Sequence, residues 1–534
     1  MSITDPARLT PISSLDEAER LFPERDLPSG AEVVRIAPSP TGFPHIGTAM
    51  QAVINAALAR KSGGVFLLRI EDTDRARLVP GAEEAIHQAL RWLGVVPDEG
   101  PGPGGAYGPY RQSERLSLYA LAARSLVAGN LAYHCFCPAE RLAAVREGQI
   151  RAGENPRYDR FCLGLKPEEV EARHRAGEKS VIRFRVPEGA EIVFRDEVRG
   201  DISFSSEALD DSILLKADGF PTYHLAVVVD DHFMRVTTVV RGEEWISSTP
   251  KHVLLYRAFG WKHPRFLHTV ILRDEQRRKL SKRSGHISIR WFRSRGYLPE
   301  GFRNFLTRIL WAHPGEKDVY DFSEFIELFS VQALPRTGPI VDLRLLDFIN
   351  GKYLSRLSPA EMRRGFLAYL DFLDQPAEEQ IAGLDFLPPP QARHALGQDL
   401  ENDAAFAEQV FALEPERNRK FSDVFGNNGF FFPSAFTPAA PESLLRHCPD
   451  AGLARGILCA LLEGEICRPS PEDWDAALRK VAEEFGVKPK ALFMLLRLAV
   501  TGLEKTPPLH NILLVLGNEL ARKRVAGALA SLPA

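Results

Sequence analysis

Apolar and polar positions in the first half of the chain predict short strands and helices in turn. Residues 33–37, Val33-Val34-Arg35-Ile36-Ala37, form a β-prone run stopped by Pro38-Ser39-Pro40-Thr41-Gly42, and helical spacing follows over 48–61. A second strand is expected over 65–70 and a second helix over about 80–93. Strand, loop and helix recurring in this order predict a parallel α/β sheet. The Gly- and Pro-rich stretch 100–108 reads as a surface loop, and no helix opening on a Lys-Ser/Thr pair follows it, so it is not a phosphate-binding loop. Short β-prone stretches at 181–186, 191–194 and 213–216 read as an α+β insertion, with strands expected to resume at 223–229 and 236–241. Beyond Leu298 the 3.6-residue period dominates, as in Phe302-Phe305-Leu306-Ile309-Leu310 and Ala491-Leu492-Leu495-Leu496-Leu498, and predicts a mostly helical C-terminal region. Breaks fall at the Pro-rich 387–391 and at Phe430-Phe431-Phe432-Pro433, and no internal repeat is visible.

Length and composition narrow the class. A chain of 534 residues, 45% hydrophobic and 26% charged, suits a globular protein of several domains and excludes wholesale disorder. Lys and Arg number 67 against 70 Asp and Glu, a net charge of −3, so any surface for nucleic acid must be a local one. Six cysteines are too few for a disulfide scaffold and point to a reducing cytoplasm. No apolar run approaches the ~18 residues of a membrane span. Asp5, Asp16, Glu17 and Glu19 break up the N-terminus, so no secretion signal is expected, and residues 1–30 read as a polar extension.

Two segments carry candidate chemistry. The loop from Pro38 to Thr48 lies between a strand and a helix, where open α/β sheets bind ligands. Gly47 would let a ligand approach the backbone, helix N-terminal amides favour phosphate, and His45 could bond a polyphosphate or simply cap the helix. Arg277-Arg278-Lys279-Leu280-Ser281-Lys282-Arg283-Ser284-Gly285 concentrates five cations in nine residues. Such a loop can clamp a triphosphate and neutralise charge growing on a pyrophosphate leaving group, or can be a solvated charge run.

Taken together, these segments resemble the two signatures of class I aminoacyl-tRNA synthetases, in His45-Ile46-Gly47-Thr48 and Lys279-Leu280-Ser281-Lys282-Arg283. Within that class the chain is similar to the bacterial-type glutamyl-tRNA synthetases. The likeness runs through 35–42, Arg69-Ile70-Glu71-Asp72-Thr73-Asp74, 108–115, Gly219-Phe220-Pro221-Thr222-Tyr223-His224 and Val239-Val240-Arg241-Gly242-Glu243-Glu244-Trp245, in one order from about residue 32 to the C-terminus. It implies a Rossmann-like catalytic domain at 31–118 and 224–250, split by a tRNA acceptor-binding insertion at 119–223. A stem-contact region with the Lys279–Arg283 loop at 251–350 and helical anticodon-binding domains at 351–534 would follow, after the 1–30 extension.

The implied activity is ATP-dependent ligation of L-glutamate to tRNA(Glu) through a glutamyl-adenylate. By resemblance His45, Gly47, Lys279, Ser281 and Lys282 bind ATP, with His45 and Lys282 catalytic and Mg²⁺ accompanying the nucleotide. Arg35, Ala37, Ser39, Glu71, Tyr223 and Arg241 would line the glutamate pocket, where a guanidinium suits an anionic side chain and Glu71 suits the ammonium. Residues 71–74 could alternatively bind Mg²⁺ directly or form a charged turn. The implied partners are tRNA(Glu), glutamate and ATP, for a cytoplasmic monomer. Glutaminyl-tRNA synthetase, a nucleotidyltransferase and a non-catalytic RNA-binding protein remain the alternative readings.

The likeness has departures. Thr48 ends the first signature, and Met50 stands where relatives usually carry Arg, with a packed helix residue as the plain reading. Cys135, Cys137 and Cys162 resemble a zinc-binding insertion, but the family's fourth ligand position is Gly164; Tyr158 or His134 could substitute, and three structural cysteines are the alternative. Cys448, Cys459 and Cys467 read as packing residues. Residues 417–419 with Phe421, Phe425 and 430–432 could stack on anticodon bases or pack a helical core.

Overall fold

The computed structural model describes residues 12–280, 287–379, 381–464 and 466–533. The chain divides into two compact units, residues 1–289 with 303–342, and 290–302 with 343–534.

In the first unit, β1 (Val33–Ile36) and β2 (Val65–Leu68) pair in parallel, Val33 opposite Val65, joined by helix α2 (Ile46–Ser62). All four residues of β1 are buried, as a strand covered on both faces requires. After α2 the chain turns at Gly63, whose φ of 65° suits glycine, and Gly64 then lies so close to Glu32 that a Cβ would meet its carbonyl oxygen at 2.0 Å. Helix α1 (Leu15–Leu21) precedes β1; α3 (Ala82–Trp92) and α4 (Leu116–Ala128) follow β2. The chain then leaves the parallel sheet for β3 (Ala132–Cys135), helices α5 (Ala139–Arg151) and α6 (Pro167–Arg175), β4 (Val181–Phe184) and, later, β7 (Ile213–Leu215), an antiparallel sheet in the order β3-β4-β7. A second strand–helix–strand unit closes the layer: β8 (Thr238–Gly242), α8 (Thr249–Phe259) and β9 (Arg265–Thr269), with β8 and β9 parallel. The Thr237 N–H donates to the Val33 carbonyl at 2.9 Å, bringing β8 alongside β1.

The observed pairing differs from the expected layout in two places. Residues 223–229 are not a strand: helix α7 runs Tyr223–Phe233, with Leu225 to Val229 all buried. A five-residue apolar run fits a buried strand and a helix buried all round equally well, and periodicity cannot separate them. The second concerns the sheet's extent. The hairpin β5 (Glu191–Asp196) and β6 (Gly200–Ser205), inside the expected insertion, joins β9 through Asp196 opposite Phe266 in the order β6-β5-β9-β8. The sheet thus reaches past residue 250 and takes a hairpin from within 119–223.

Residues 12–30, without an assigned role in the sequence, are anchored. Phe22 is fully buried, with ring centroids 5.9 Å from Phe233 and 6.4 Å from Tyr107. Glu19 bonds His232 Nε2 at 2.5 Å and Arg235 Nη2 at 2.6 Å, and Arg25 forms a bidentate pair with Glu99 at 2.7 and 2.9 Å.

The second unit is helical among its described residues. Its helices include Pro359–Asp374, opened by a Ser358–Glu361 capping box, Ala451–Glu463, Pro489–Thr501 and Leu509–Ser531. Leu492, Leu495, Leu496 and Leu498 are buried, as the helical spacing predicts. Phe421 and Phe430 to Phe432 are buried too, in one core with Phe366 and Tyr369, which favours the packing reading of that aromatic stretch over stacking on bases.

Candidate active site

One cavity of about 610 Å³, a volume in the range of small-molecule sites, opens in the first unit. It gathers Arg35, Ala37 and Ser39 from the end of β1, His45 and Gly47 from the start of α2, Glu71 from beyond β2, Tyr223 from α7, Arg241 from β8, and Lys279. Residues up to 244 positions apart in sequence thus meet because parallel strands end on one side and their helices begin there. Ser281 and Lys282 lie outside the described residues. Lys279 sits on a short antiparallel excursion, pairing with Arg273, and the Leu280 N–H donates to the Leu272 carbonyl at 3.2 Å.

At the phosphate end, His45 is the N-cap of α2, its Nδ1 accepting the Gly47 N–H at 3.1 Å. A Cβ on residue 47 would lie 2.9 and 3.0 Å from the imidazole, so glycine is what lets the ring fold over the helix start. The Ile46 N–H donates to the Ile287 carbonyl at 2.7 Å and the Ile289 N–H to the Pro44 carbonyl at 3.1 Å, fixing the loop. His45 makes the cap bond and lines the same cavity as helix-start residues 46–48, where the dipole favours an anion. Met50 is buried in α2 and also lines the cavity.

The deep end is built on charge. Arg35 grips Asp231 through Nε at 3.0 Å and Nη2 at 3.3 Å. Arg69, fully buried, bonds Asp231 at 2.6 Å and Glu71 at 3.0 Å and lies 3.7 Å from Asp230. Asp230 in turn accepts from Arg115 at 2.7 Å, Gln112 at 2.9 Å and Tyr119 at 2.8 Å. Guanidinium and carboxylate therefore alternate, and burial of each charge is offset by its neighbours. Burial alone would raise the Asp231 carboxyl, yet Arg35 and Arg69 hold it below the usual carboxylate range. Glu71 is different: burial lifts its pKa above the usual value despite Arg69 and Arg35. A cation arriving at Glu71 would favour its charged form.

Arg241 stands apart from this ladder. Its Nε meets His268 Nε2 at 3.1 Å, Nη1 meets the Tyr223 hydroxyl and His252 Nδ1 at 3.2 Å each, and Nη2 donates to Thr249 Oγ1 at 2.8 Å. Among the described residues no carboxylate pairs with it, although it is only 6% exposed. Burial lowers the pKa of His252 and of His268 below the usual histidine range and pushes His224 down to about 4. The imidazoles around Arg241 are therefore neutral near pH 7, and a buried positive charge is left facing the cavity.

The carboxylates of 71–74 do not converge on one point: Asp72 accepts from the Ser113 backbone and hydroxyl, and Asp74 pairs with Arg77. The thiols do converge. The sulfurs of Cys135, Cys137 and Cys162 lie within 4.8 Å of one another, Cys137 and Cys162 at 3.6 Å. The Tyr158 hydroxyl is 3.3 Å from Cys135 Sγ and 3.4 Å from Cys137 Sγ. Tetrahedral zinc with bonds of about 2.3 Å needs sulfurs about 3.8 Å apart, so the three thiols fit three of its four positions, and the nearest fourth donor is the Tyr158 phenol. His134 faces elsewhere, its Nδ1 on Ser180 at 2.9 Å, and nothing surrounds Gly164 within 4 Å of a built Cβ.

Sequence motifs pointed to the cavity residues but not to Asp230, Asp231, Thr249, His252 or His268, which hold them. The Asp230-Asp231 pair closing an apolar run was the one local signal, since paired acids at the end of a buried segment require partners.

Known proteins share both the sequence and the architecture. Residues 32–348 match the family described as tRNA synthetases class I (E and Q), catalytic domain, and 390–529 match the anticodon binding domain. A glutamate–tRNA ligase of Gloeobacter violaceus is 53% identical over 97% of this chain and 99% of its own length. One from Thermus thermophilus is 41% identical over 93% of this chain and all of its own. The crystal structure of a glutamate tRNA ligase from Elizabethkingia meningosepticum in complex with its amino acid superposes with a TM-score of 0.78 at 31% identity, covering 94% of this chain and all of that one. With these likenesses spanning catalytic and anticodon-binding regions alike, the chain belongs to the glutamate–tRNA ligase family of class I aminoacyl-tRNA synthetases.

Proposed function

We propose that this enzyme ligates L-glutamate to tRNA(Glu), and that Arg241 receives the substrate's side-chain carboxylate. The observation that carries this reading is the buried guanidinium of Arg241, bonded among the described residues only to neutral groups while Arg35 and Arg69 are each matched by acids. A carboxylate placed there gains a charge-assisted pair; the amide of glutamine would leave the charge uncompensated. Glu71 takes the substrate ammonium, Tyr223 adds its hydroxyl beside Arg241, and Arg35, Ala37 and Ser39 complete the pocket.

In the reaction, an oxygen of the substrate α-carboxylate attacks the α-phosphorus of ATP, forming glutamyl-adenylate as the bond to the pyrophosphate oxygen breaks. A hydroxyl of the tRNA's terminal ribose then attacks the mixed anhydride and AMP leaves. No side chain becomes covalently bound; the protein supplies position and charge. His45, Gly47 and the α2 amides hold the phosphates, with Lys279, Ser281 and Lys282 on the pyrophosphate and Mg²⁺ carried with the nucleotide. Cytoplasmic location and a monomeric state complete the reading; among the described residues no helix is long and apolar enough to cross a membrane.

Purified protein, ATP and Mg²⁺ with labelled glutamate or glutamine, each with glutamate- and glutamine-specific tRNA, test it. Glutamate charging of tRNA(Glu), lost in Lys282→Ala, is expected; glutamine charging instead, or no charging, would overturn it.

We also assign zinc to Cys135, Cys137, Cys162 and Tyr158, where it would tie the two halves of the insertion together. Metal analysis should find about one zinc per chain, lost in Cys162→Ser. Metal-free protein with unchanged stability would refute the assignment.

A further inference from the structure

The bonds that hold Arg241 constrain more than its own position. A guanidinium has only N–H groups to offer, so every ring nitrogen facing it must present a lone pair. At His268 the facing atom is Nε2, and the ring proton therefore sits on Nδ1, which lies 2.8 Å from Asp196 Oδ2. At His252 the facing atom is Nδ1, so its Nε2–H points to His224 Nδ1 at 3.1 Å. Asp196 is buried at the end of β5 and accepts from more than the ring. Its Oδ2 also takes the His268 backbone N–H at 3.0 Å, and Oδ1 takes the N–H groups of Val198 and Arg199 at 3.0 and 2.8 Å. The hairpin that joins β9 thus delivers this carboxylate to the back of the site.

We propose that Asp196 is a positioning residue for amino-acid recognition: through His268 it fixes the tautomer and plane that hold Arg241 toward the cavity without neutralising it. The inference deepens, and rests on, the assignment of Arg241 to the substrate carboxylate. Its logic is the contrast with Arg35. A carboxylate directly on Arg241, as Asp231 is on Arg35, would compete with the substrate for the same N–H groups and charge. An interposed neutral imidazole supplies an acceptor to Nε while leaving Nη1 and Nη2 oriented by Tyr223, His252 and Thr249.

Asp196→Asn probes this role, because the amide has one acceptor oxygen where the carboxylate has two. Turned with its NH₂ toward His268, it forces the ring proton onto Nε2, against the Arg241 N–H, and also meets the His268 backbone N–H. Turned the other way, it sets NH₂ against the Val198 and Arg199 N–H groups and disturbs the hairpin that carries residue 196. A wrongly protonated histidine behind an intact site is a known consequence of such a change in serine proteases.

The test measures kcat and the KM for glutamate and for ATP in tRNA aminoacylation, for wild type, Asp196→Asn and Arg241→Gln. Asp196→Asn should raise the glutamate KM about tenfold, the equivalent of one hydrogen bond, with the ATP KM within about twofold. Unchanged KM values, or glutamate and ATP KM rising in parallel, would overturn the proposal. If Arg241→Gln leaves the glutamate KM unchanged, the underlying assignment of Arg241 fails; if Arg241→Gln raises it and Asp196→Asn does not, only the present inference fails. Should Asp196→Asn not fold, ¹⁵N-histidine spectra of the wild-type enzyme at pH 7 decide: His268 as the neutral Nδ1–H form supports the proposal, and the Nε2–H form or the imidazolium refutes it.

Discussion

Replacing Asp231 by Asn would strip the charge from the centre of the buried ladder while keeping its shape. Asp231 accepts from Arg35 at 3.0 and 3.3 Å and from Arg69 at 2.6 Å, and both arginines are almost wholly excluded from solvent. The amide leaves those two guanidinia with only Glu71 and Asp230 nearby, the latter already engaged by Arg115. Removing one member of a buried charge network costs about 3–5 kcal/mol. For a unit of this size that corresponds to a fall in Tm on the order of 10 °C. Calorimetry of the full chain measures it, and glutamate KM should rise because Arg35, and the Arg69 that holds Glu71, lose their charged partner. A second variant separates stability from recognition: Arg35→Met with Asp231→Leu replaces one pair by apolar groups and should recover part of the stability, since Arg69 still loses its Asp231 bond, but not the glutamate KM. A Tm within about 2 °C of wild type for Asp231→Asn, with unchanged glutamate KM, would refute the view that this ladder holds the pocket.

Gly47→Ala puts a Cβ 2.9 Å from the His45 ring; the cap bond should be lost at a cost of about 1 kcal/mol, with ATP KM raised and glutamate KM retained, as steady-state kinetics would show. Phe22→Ala should cost about 3–5 kcal/mol and open residues 12–30 to limited proteolysis, because the fully buried ring packs on Phe233 and Tyr107. His224 is pushed down to about 4 by burial, then by Lys251 and Arg241, so the unfolded chain binds its proton first. Its contribution to stability is full above about pH 6.5 and is lost as pH falls toward 4, by at most about 3 kcal/mol, and denaturation midpoints of His224→Asn should show a flatter acid limb.

What the sequence revealed and what it hid have different physical origins. The 38–48 loop was legible because Pro, Gly and His between a strand and a helix restrict the backbone locally, and His45 does cap α2. Arg35, Glu71, Tyr223 and Arg241 were legible through a family pattern, and they do line one cavity. The partners that hold them were not. Asp196, Thr249, His252 and His268 carry no local signature, since their roles arise only when β5, α8 and β9 come together. Helix α7 was hidden by its own burial: an apolar run with no polar face shows no period. Phe421 and Phe430 to Phe432 were ambiguous because aromatic residues serve RNA and cores alike, and their burial resolves the choice toward packing. The 12–30 segment looked merely polar because its anchors, Phe22, Glu19 and Arg25, are single residues spaced without a period.

A buried, uncompensated guanidinium at Arg241 is proposed to select the substrate. Glutamate and glutamine kcat/KM values for aminoacylation by wild type and Arg241→Gln test it most directly. Arg241→Gln should lose roughly 100-fold or more in kcat/KM for glutamate, with little change in ATP KM and a collapse of the preference for glutamate over glutamine. An Arg241→Gln enzyme that keeps its glutamate kcat/KM and its preference would contradict it.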